Sequence, residues 1–374
     1  MRQQTIESTT IGKTVVLVGC GNIGSHLAPH LARLPGIARI TCIDLDVYEQ
    51  KNLLCQDITP QDVGRSKAGV QARRLRRINP ELTVHPIKDP VQNIPLGQLR
   101  ADLILSCLDS KEARRYTHQV AWRLGVPFID AGIAADDFLA RANVYLPGAH
   151  TACMECSWSE EDYAALEQTY PCQLGEKSNT STPFSTNAPS SLGALAASLQ
   201  AIEAGKILAN RIEYAAVGRE IVVNALSHRH FVTETRRRSD CRFDHEVWKF
   251  EELGLHPKAI TVGDALELGT ELLAPGESAR LGVEGTAFVA KLSCLNCGKT
   301  RNLLRLQNRL TPRERTCTCG GSMIAAAFDR SEYIDEKRLG HKALGRSLAS
   351  IGFRAGDIFT VASPTGQAHY ELGN

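Results

Sequence analysis

The chain has no excess of either charge: 43 Lys and Arg stand against 41 Asp and Glu, a formal net of +2 over 374 residues. Such a balance creates no global field for nucleic acid or an anionic membrane, so anion binding has to be local. Aromatic side chains are scarce at 6%, which leaves little for base stacking. Long apolar runs are missing too. Thr14 to Ala32 comes nearest, with no Asp, Glu, Lys or Arg, but Gly19, Gly21, Gly24, Asn22, Pro29 and two histidines exclude a membrane span. Met1 to Thr10 lacks the apolar core of a signal peptide, so a cytoplasmic protein with reduced thiols is expected. What the chain does have is twelve cysteines, inside an otherwise ordinary globular composition of 43% apolar and 22% charged residues. Its length allows two to three domains.

Val15 to Val18 is an apolar run ending in Gly, the pattern of a strand buried on both faces, and Ile23 to Leu34 then follows helical spacing. Ile40 to Leu45 and Leu103 to Cys107 read as further strands, and Lys67 to Ile78, Glu112 to Leu124 and Leu192 to Leu208 as helices. Strands alternating with helices imply an α/β, Rossmann-like doubly wound sheet. Ser178 to Ser191 is a Ser, Thr and Pro-rich loop. Past a polar, basic stretch at Arg236 to Asp244, short strand-like segments appear at Ala259 to Val262, Ala287 to Leu292 and Asp357 to Ala362. A domain boundary is expected near residue 246.

Gly19-Cys20-Gly21-Asn22-Ile23-Gly24 follows a strand and opens a helix. Glycines there permit a tight turn and let phosphate approach backbone N–H groups. Asp44, twenty residues after Gly24 at the end of the second strand, suits ribose hydroxyls. An NAD dehydrogenase would carry the same features, although no hydride-transfer base is identifiable by motif.

The runs Asp44-Leu45-Asp46-Val47-Tyr48-Glu49-Gln50-Lys51-Asn52-Leu53-Leu54-Cys55-Gln56, Gly64-Arg65-Ser66-Lys67 and Ser106-Cys107-Leu108-Asp109-Ser110 resemble the ThiF and MoeB superfamily, the activating enzymes for ubiquitin and ubiquitin-like proteins. The resemblance covers roughly residues 10 to 245. It implies ATP and Mg²⁺, adenylation of the C-terminal carboxylate of a ubiquitin-like protein, and a homodimer. Residue by residue, it implies Asp44 on the ribose, Asn52 and Lys67 on the phosphates and Asp109 on Mg²⁺. Two anions must be brought together, so a Lys and Mg²⁺ pair suits the charge that develops at the α-phosphate. The remaining Arg65, Arg73, Arg74, Arg76 and Arg77 form a run without acids and read as a solvated face. Where the family pattern has Asn-Leu-x-Arg-Gln this chain has Cys55 for the Arg, and Arg65 or Arg2 is the candidate substitute.

Cys153-Met154-Glu155-Cys156 suits tetrahedral Zn²⁺. In the resembling family a second Cys pair completes such a site. Here that place holds Cys241 and His245, so a Cys₃His set of Cys153, Cys156, Cys241 and His245 is expected, with His245 as a plain surface imidazole the alternative. Cys294, Cys297, Cys317 and Cys319 have the spacing of a zinc ribbon without any appeal to family. Cys172 stands alone between the first pair and the helix at Leu192, at the place of the family's crossover loop, about residues 157–191. The resemblance makes it the thiol that takes the activated protein as a thioester and passes it to a conjugating enzyme, or that carries a persulfide in the sulfur-carrier members; burial is the plain alternative. Cys20, Cys42, Cys55 and Cys107 are expected to be packing residues. The expected organisation is an adenylation domain at 1–245 and a C-terminal domain at 246–374 carrying the ribbon at 294–319. That architecture resembles the stand-alone activating enzymes of bacterial ubiquitin-like conjugation systems, some of them antiviral. A sulfur-carrier-protein adenylyltransferase and a non-catalytic nucleotide- or nucleic-acid-binding ribbon protein stay open, while nucleic acid and membrane are not expected partners.

Overall fold

The computed structural model describes residues 12–168, 188–273, 277–337 and 339–373. The described residues form two compact units, one from 12–91, 99–167 and 188–247, the other from 92–98 and from 248 onward.

In the first unit the chain runs through β1 (Lys13–Val18), α1 (Asn22–Leu31), β2 (Ile37–Ile43), α2 (Lys67–Ile78), β3 (Thr83–Ile87), β4 (Leu103–Ser106), α3 (Lys111–Arg123), β5 (Phe128–Ala134), β6 (Leu139–Tyr145), α4 (Glu160–Gln168), α5 (Ser190–Leu208), β7 (Arg219–Asn224) and β8 (Arg229–Glu234). One sheet takes all eight strands in the order β3-β2-β1-β4-β5-β6-β7-β8. It is parallel from β3 to β5 and antiparallel from β5 to β8. The fold is the α/β, Rossmann-like class read from the sequence, and an antiparallel half continues its parallel one. Only residues 135–138 join β5 to β6, too few for a crossover helix, so β6 must turn back antiparallel.

The helices start where a side chain can take an orphan N–H. Ser66 Oγ accepts from Gly69 N at 3.4 Å, and Ser110 Oγ accepts from Ala113 N at 3.3 Å. Helix α2 stops at Asn79 because Pro80 disfavours helical backbone before it. Helix α5 is apolar nearly all round and serves as core: Leu192, Ala196, Ala197, Ala204 and Ile207 pack with Leu27, Leu31, Leu103 and Ile129. Its one buried amide, Gln200, donates to Ser106 O and Ile129 O and accepts from Cys107 Sγ. Among the described residues no helix is long and apolar enough to cross a membrane.

The second unit contains β9 (Phe250–Glu252), α6 (Val262–Glu267), β10 (Arg280–Gly282), β11 (Phe288–Cys294), β12 (Thr300–Leu306), α7 (Pro312–Arg315), β13 (Met323–Ile324), β14 (Arg330–Ser331), β15 (Tyr333–Asp335), β16 (Ile358–Ala362) and β17 (Gln367–Glu371). A sheet ordered β15-β10-β16-β17-β9 covers a core that includes Phe288, Leu306, Phe353 and Phe359. A smaller sheet, β12-β11-β13 with β14 on β11, carries the ribbon. The strand expected at Ala259 to Val262 is not there. Thr261 instead caps α6, accepting from Asp264 N at 3.1 Å while Asp264 accepts from Thr261 N at 2.8 Å. A Thr-x-x-Asp capping box was hidden inside an apolar, β-branched run.

Candidate active site and metal centres

The carboxyl ends of β1, β2 and β4 lie side by side, with Val18 paired to Ile43 on one flank and to Ser106 on the other. The chain runs outward from β1 to β2 and β3 before β4 returns to the other side of β1, so this is the switch point of the sheet, where α/β proteins open a crevice. Gly19 turns the chain out of β1 at φ +91°, and a Cβ there would lie 2.6 Å from Cys107 O. A Cβ on Gly24 would lie 2.0 Å from Gly19 O. Both glycines are demanded by the protein's own packing. Gly21 differs, because its Cβ would meet only Gln56 Nε2 at 3.9 Å; it leaves open space at the head of α1, whose first turn has no side-chain cap. Asp44 fastens this loop to β2. One carboxylate oxygen accepts from Cys20 N at 2.7 Å and the other from Asp46 N at 2.9 Å. Burial raises the Asp44 pKa, with the N–H of Cys20 working the other way. Tyr48 braces the loop from below, donating to Cys20 O at 2.7 Å and accepting from Gln71 at 2.8 Å.

Asn52 is buried, and its Oδ1 accepts from Glu49 N at 2.8 Å. The Lys67 ammonium lies 3.0 Å from Asp46, with its own side chain 12% exposed and that of Asp46 53%. Asp109 lies three residues past the end of β4; it is exposed, and its carboxylate has no partner among the described residues. Arg65 is exposed as well. The expectation that the other α2 cations face only solvent is corrected by the fold: Asp57 pairs with Arg74 at 2.5 Å, and Asp62 lies 3.8 Å from Arg73. The loop before α2 supplies acids that the helix lacks. Asp46 and Tyr48 were missed as site residues although they sit in the same run as Asp44; an acid or phenol two to four residues beyond it was the signal. Cys172 and Arg2 lie outside the described residues. The other cysteines near the loop are packing groups, Cys20, Cys42 and Cys107 buried and Cys55 half-buried. Burial holds the Cys107 thiol well above its ordinary value.

The ligand atoms of Cys153, Cys156, Cys241 and His245 all lie within 4.8 Å of one another. Cys153 Sγ is 3.7 Å from Cys156 Sγ and 3.6 Å from Cys241 Sγ, and Cys156 Sγ is 3.2 Å from His245 Nε2. These separations are far too long for disulfides, while tetrahedral Zn–S bonds of about 2.3 Å put two sulfurs about 3.8 Å apart. His245 reaches the cluster from a left-handed backbone at φ +62°, with its carbonyl taking the Trp122 indole N–H at 2.9 Å. Cys294, Cys297, Cys317 and Cys319 form the second group, with Cys294 3.5 Å from Cys319 and Cys297 3.7 Å from Cys317. Each pair sits on a tight turn closed by a left-handed glycine, Gly298 at φ +70° and Gly320 at φ +81°. Both donor sets fit zinc in number, type and spacing.

The family profile described as ThiF family matches residues 3–243. The chain belongs to the ThiF family. It is 30% identical over 159 residues to the Oryza sativa subsp. japonica protein named ubiquitin-like modifier-activating enzyme 5, covering 38% of this chain and 37% of that one. The Branchiostoma floridae protein of the same name is 31% identical over 158 residues, covering 38% of each chain. The chain therefore spans less than two fifths of these relatives' length. Among solved structures, E. coli MccB with ATP matches at TM-score 0.51 and 26% identity, over 62% of this chain and 65% of that one. MccB with MccA matches at 0.52 and 25%, over 63% and 67%. The ThiF-type sheet is thus the first unit. Its switch-point residues also suit ATP and Mg²⁺: an open Gly21, uncapped N–H groups on α1, and a partnerless exposed carboxylate on Asp109.

Proposed function

We propose that this ThiF-family chain is an activating enzyme that joins AMP from ATP to the C-terminal carboxylate of a ubiquitin-like protein. The observation that supports the reading is that β1, β2 and β4 end side by side, so the Gly19–Gly24 loop, Asp44 and the loop after Ser106 that carries Asp109 leave the sheet at one edge, with Lys67 paired to Asp46 beside Asp44. In this reading the oxygens of Asp44 accept from ribose hydroxyls, the α1 N–H groups and Asn52 hold phosphate oxygens, and Lys67 exchanges Asp46 for the triphosphate. Asp109 would hold Mg²⁺, which when bound neutralises phosphate charge. The substrate carboxylate forms the new P–O bond at the α-phosphorus as the bond to the β-phosphate breaks and pyrophosphate leaves, so the protein supplies position and charge rather than a nucleophile. Arg65 or Arg2 is the candidate to stand in for the Arg that Cys55 replaces.

Cys172 then attacks the acyl adenylate as thiolate, AMP leaves, and the thioester is passed to the Cys of a conjugating enzyme. Two anchors support this. Upstream of the segment that carries Cys172, Asp162 of α4 pairs with Lys111, two residues after Asp109. Downstream of it, Ala188 O accepts from Asn22 Nδ2 at 3.0 Å, in the Gly loop itself. Zinc in the two thiolate sites and a homodimer complete the proposal. The test is ATP–pyrophosphate exchange with candidate ubiquitin-like proteins, followed by non-reducing gels. Wild type should exchange and form a thiol-sensitive adduct, and Cys172→Ser should exchange without the adduct. Exchange with no adduct in wild type would remove Cys172 from the reaction, a persulfide there would make the partner a sulfur carrier, and ATP-independent, salt-sensitive nucleic-acid binding would overturn the enzyme reading.

A further inference from the structure

Behind the first unit's core, the end of α1 and the last turns of α5 enclose a groove of about 720 Å³ that the proposed adenylation does not use. Its floor and walls are Leu34, Pro35, Ala201, Ile202, Leu208 and Tyr214. Ile202 is 57% exposed and Tyr214 63%, so two large apolar groups that line one cavity stand in water, the usual mark of a docking surface. Its depth comes from Gly205. A Cβ there would make only an ordinary 3.5 Å contact with Leu34, so the packing does not require the glycine, and its absent side chain is what leaves the groove open.

The rim has one sign. His30, Arg33, Lys206 and Arg211 line it, and among the described residues no Asp or Glu does. Lys206 is held by the buried Glu203, and Arg33 donates only to the Pro29 carbonyl, which leaves its charge uncompensated. Arg211 has no ion-pair partner among the described residues. A second copy docking through a twofold axis would set this basic rim against an identical basic rim, which costs energy. The chain's own undescribed stretches are no better matched: 1–11 carries Glu7 with Arg2, and 169–187 carries Glu176 with Lys177. We infer that this groove takes an acidic segment of another protein, with an apolar side chain seated over Gly205 and flanking carboxylates on Arg33 and Arg211.

The test selects a displayed random peptide library against the full chain and measures the binding of the recovered peptides. Enriched peptides should carry an apolar anchor among Asp and Glu and weaken as salt rises. Gly205→Leu, which fills the groove, should weaken them at least about tenfold, as should the pair Arg33→Glu and Arg211→Glu. Gly205→Ala keeps the groove and the helix and serves as the folding control. Recovery of neutral or basic peptides, or of acidic ones that ignore Gly205→Leu, or of none, would overturn the inference. So would a dimer in solution that Gly205→Leu converts to monomer, which would give the groove to a second copy.

Discussion

Gly21 and Gly24 sit three residues apart, yet their surroundings differ. Gly24→Ala would drive a Cβ to 2.0 Å from a backbone oxygen, and neither partner can yield without opening the turn. Expected is a stability loss of about 3 kcal/mol, the scale of overpacking in a tight core, read by denaturant melts. Gly21→Ala should melt as wild type, because its Cβ meets nothing closer than 3.9 Å, while ATP binding by titration weakens. Equal melting of the two variants would show that Gly24 is not structural. Lys67 follows a similar logic. Its partner Asp46 is half exposed, and ion pairs of that kind are worth less than about 1 kcal/mol. The ammonium can therefore move to a phosphate at little cost. Lys67→Ala should lower exchange by about a hundredfold with little change in melting, the effect of losing one preorganised charge at the reacting phosphate; an unchanged rate would return Lys67 to the solvated face.

At the level of elements, what could be read in advance depended on how local its cause is. Helix α2 was legible to the residue because Ser66 and Pro80 bound it in sequence. The two cysteine groups were legible because Cys153/Cys156 and Cys294/Cys297 each leave two residues between thiols, a spacing that suits a metal turn, with the closely spaced Cys241/His245 and Cys317/Cys319 as partners. The 259–262 segment was misread since a capping box and a short strand look alike in an apolar run, and β7 and β8 were invisible because their cause is pairing across the sheet. The partners of Lys67 and Arg74 were also out of reach, being 21 and 17 residues away in sequence. The ribbon takes this furthest. Among the described residues its buried cluster is Val289, Leu292, Cys294, Cys317, Met323 and Ala325, two of them thiols, with Leu303 and Leu310 partly buried against it, too little apolar surface to hold β11 and β12 unaided. Metal analysis should find two zinc per chain, and Cys241→Ser or Cys294→Ser one each. Cys294→Ser should also expose the ribbon backbone to hydrogen exchange, since such sites fold with their metal. One zinc in wild type, retained in Cys241→Ser, would exclude the Cys₃His site.

For the molecule as a whole, the two units have separate cores, one built on β1, β4, α1 and α5 and the other on β10, β16 and Phe288. The proposed chemistry belongs wholly to the first, and the ribbon wholly to the second. Ligands should therefore act on one unit at a time. Calorimetry of the full chain should resolve two transitions. A non-hydrolysable ATP analogue with Mg²⁺ at a hundred times its Kd adds about 2.7 kcal/mol to whatever binds it. In a unit of this size that raises the midpoint by several degrees. Only the transition weakened by Gly24→Ala should move, and only the other should fall with Cys294→Ser. A single transition that shifts as one body under both changes would mean that the units fold cooperatively. The cysteine-rich second unit would then share its stability with the unit that carries the proposed nucleotide site.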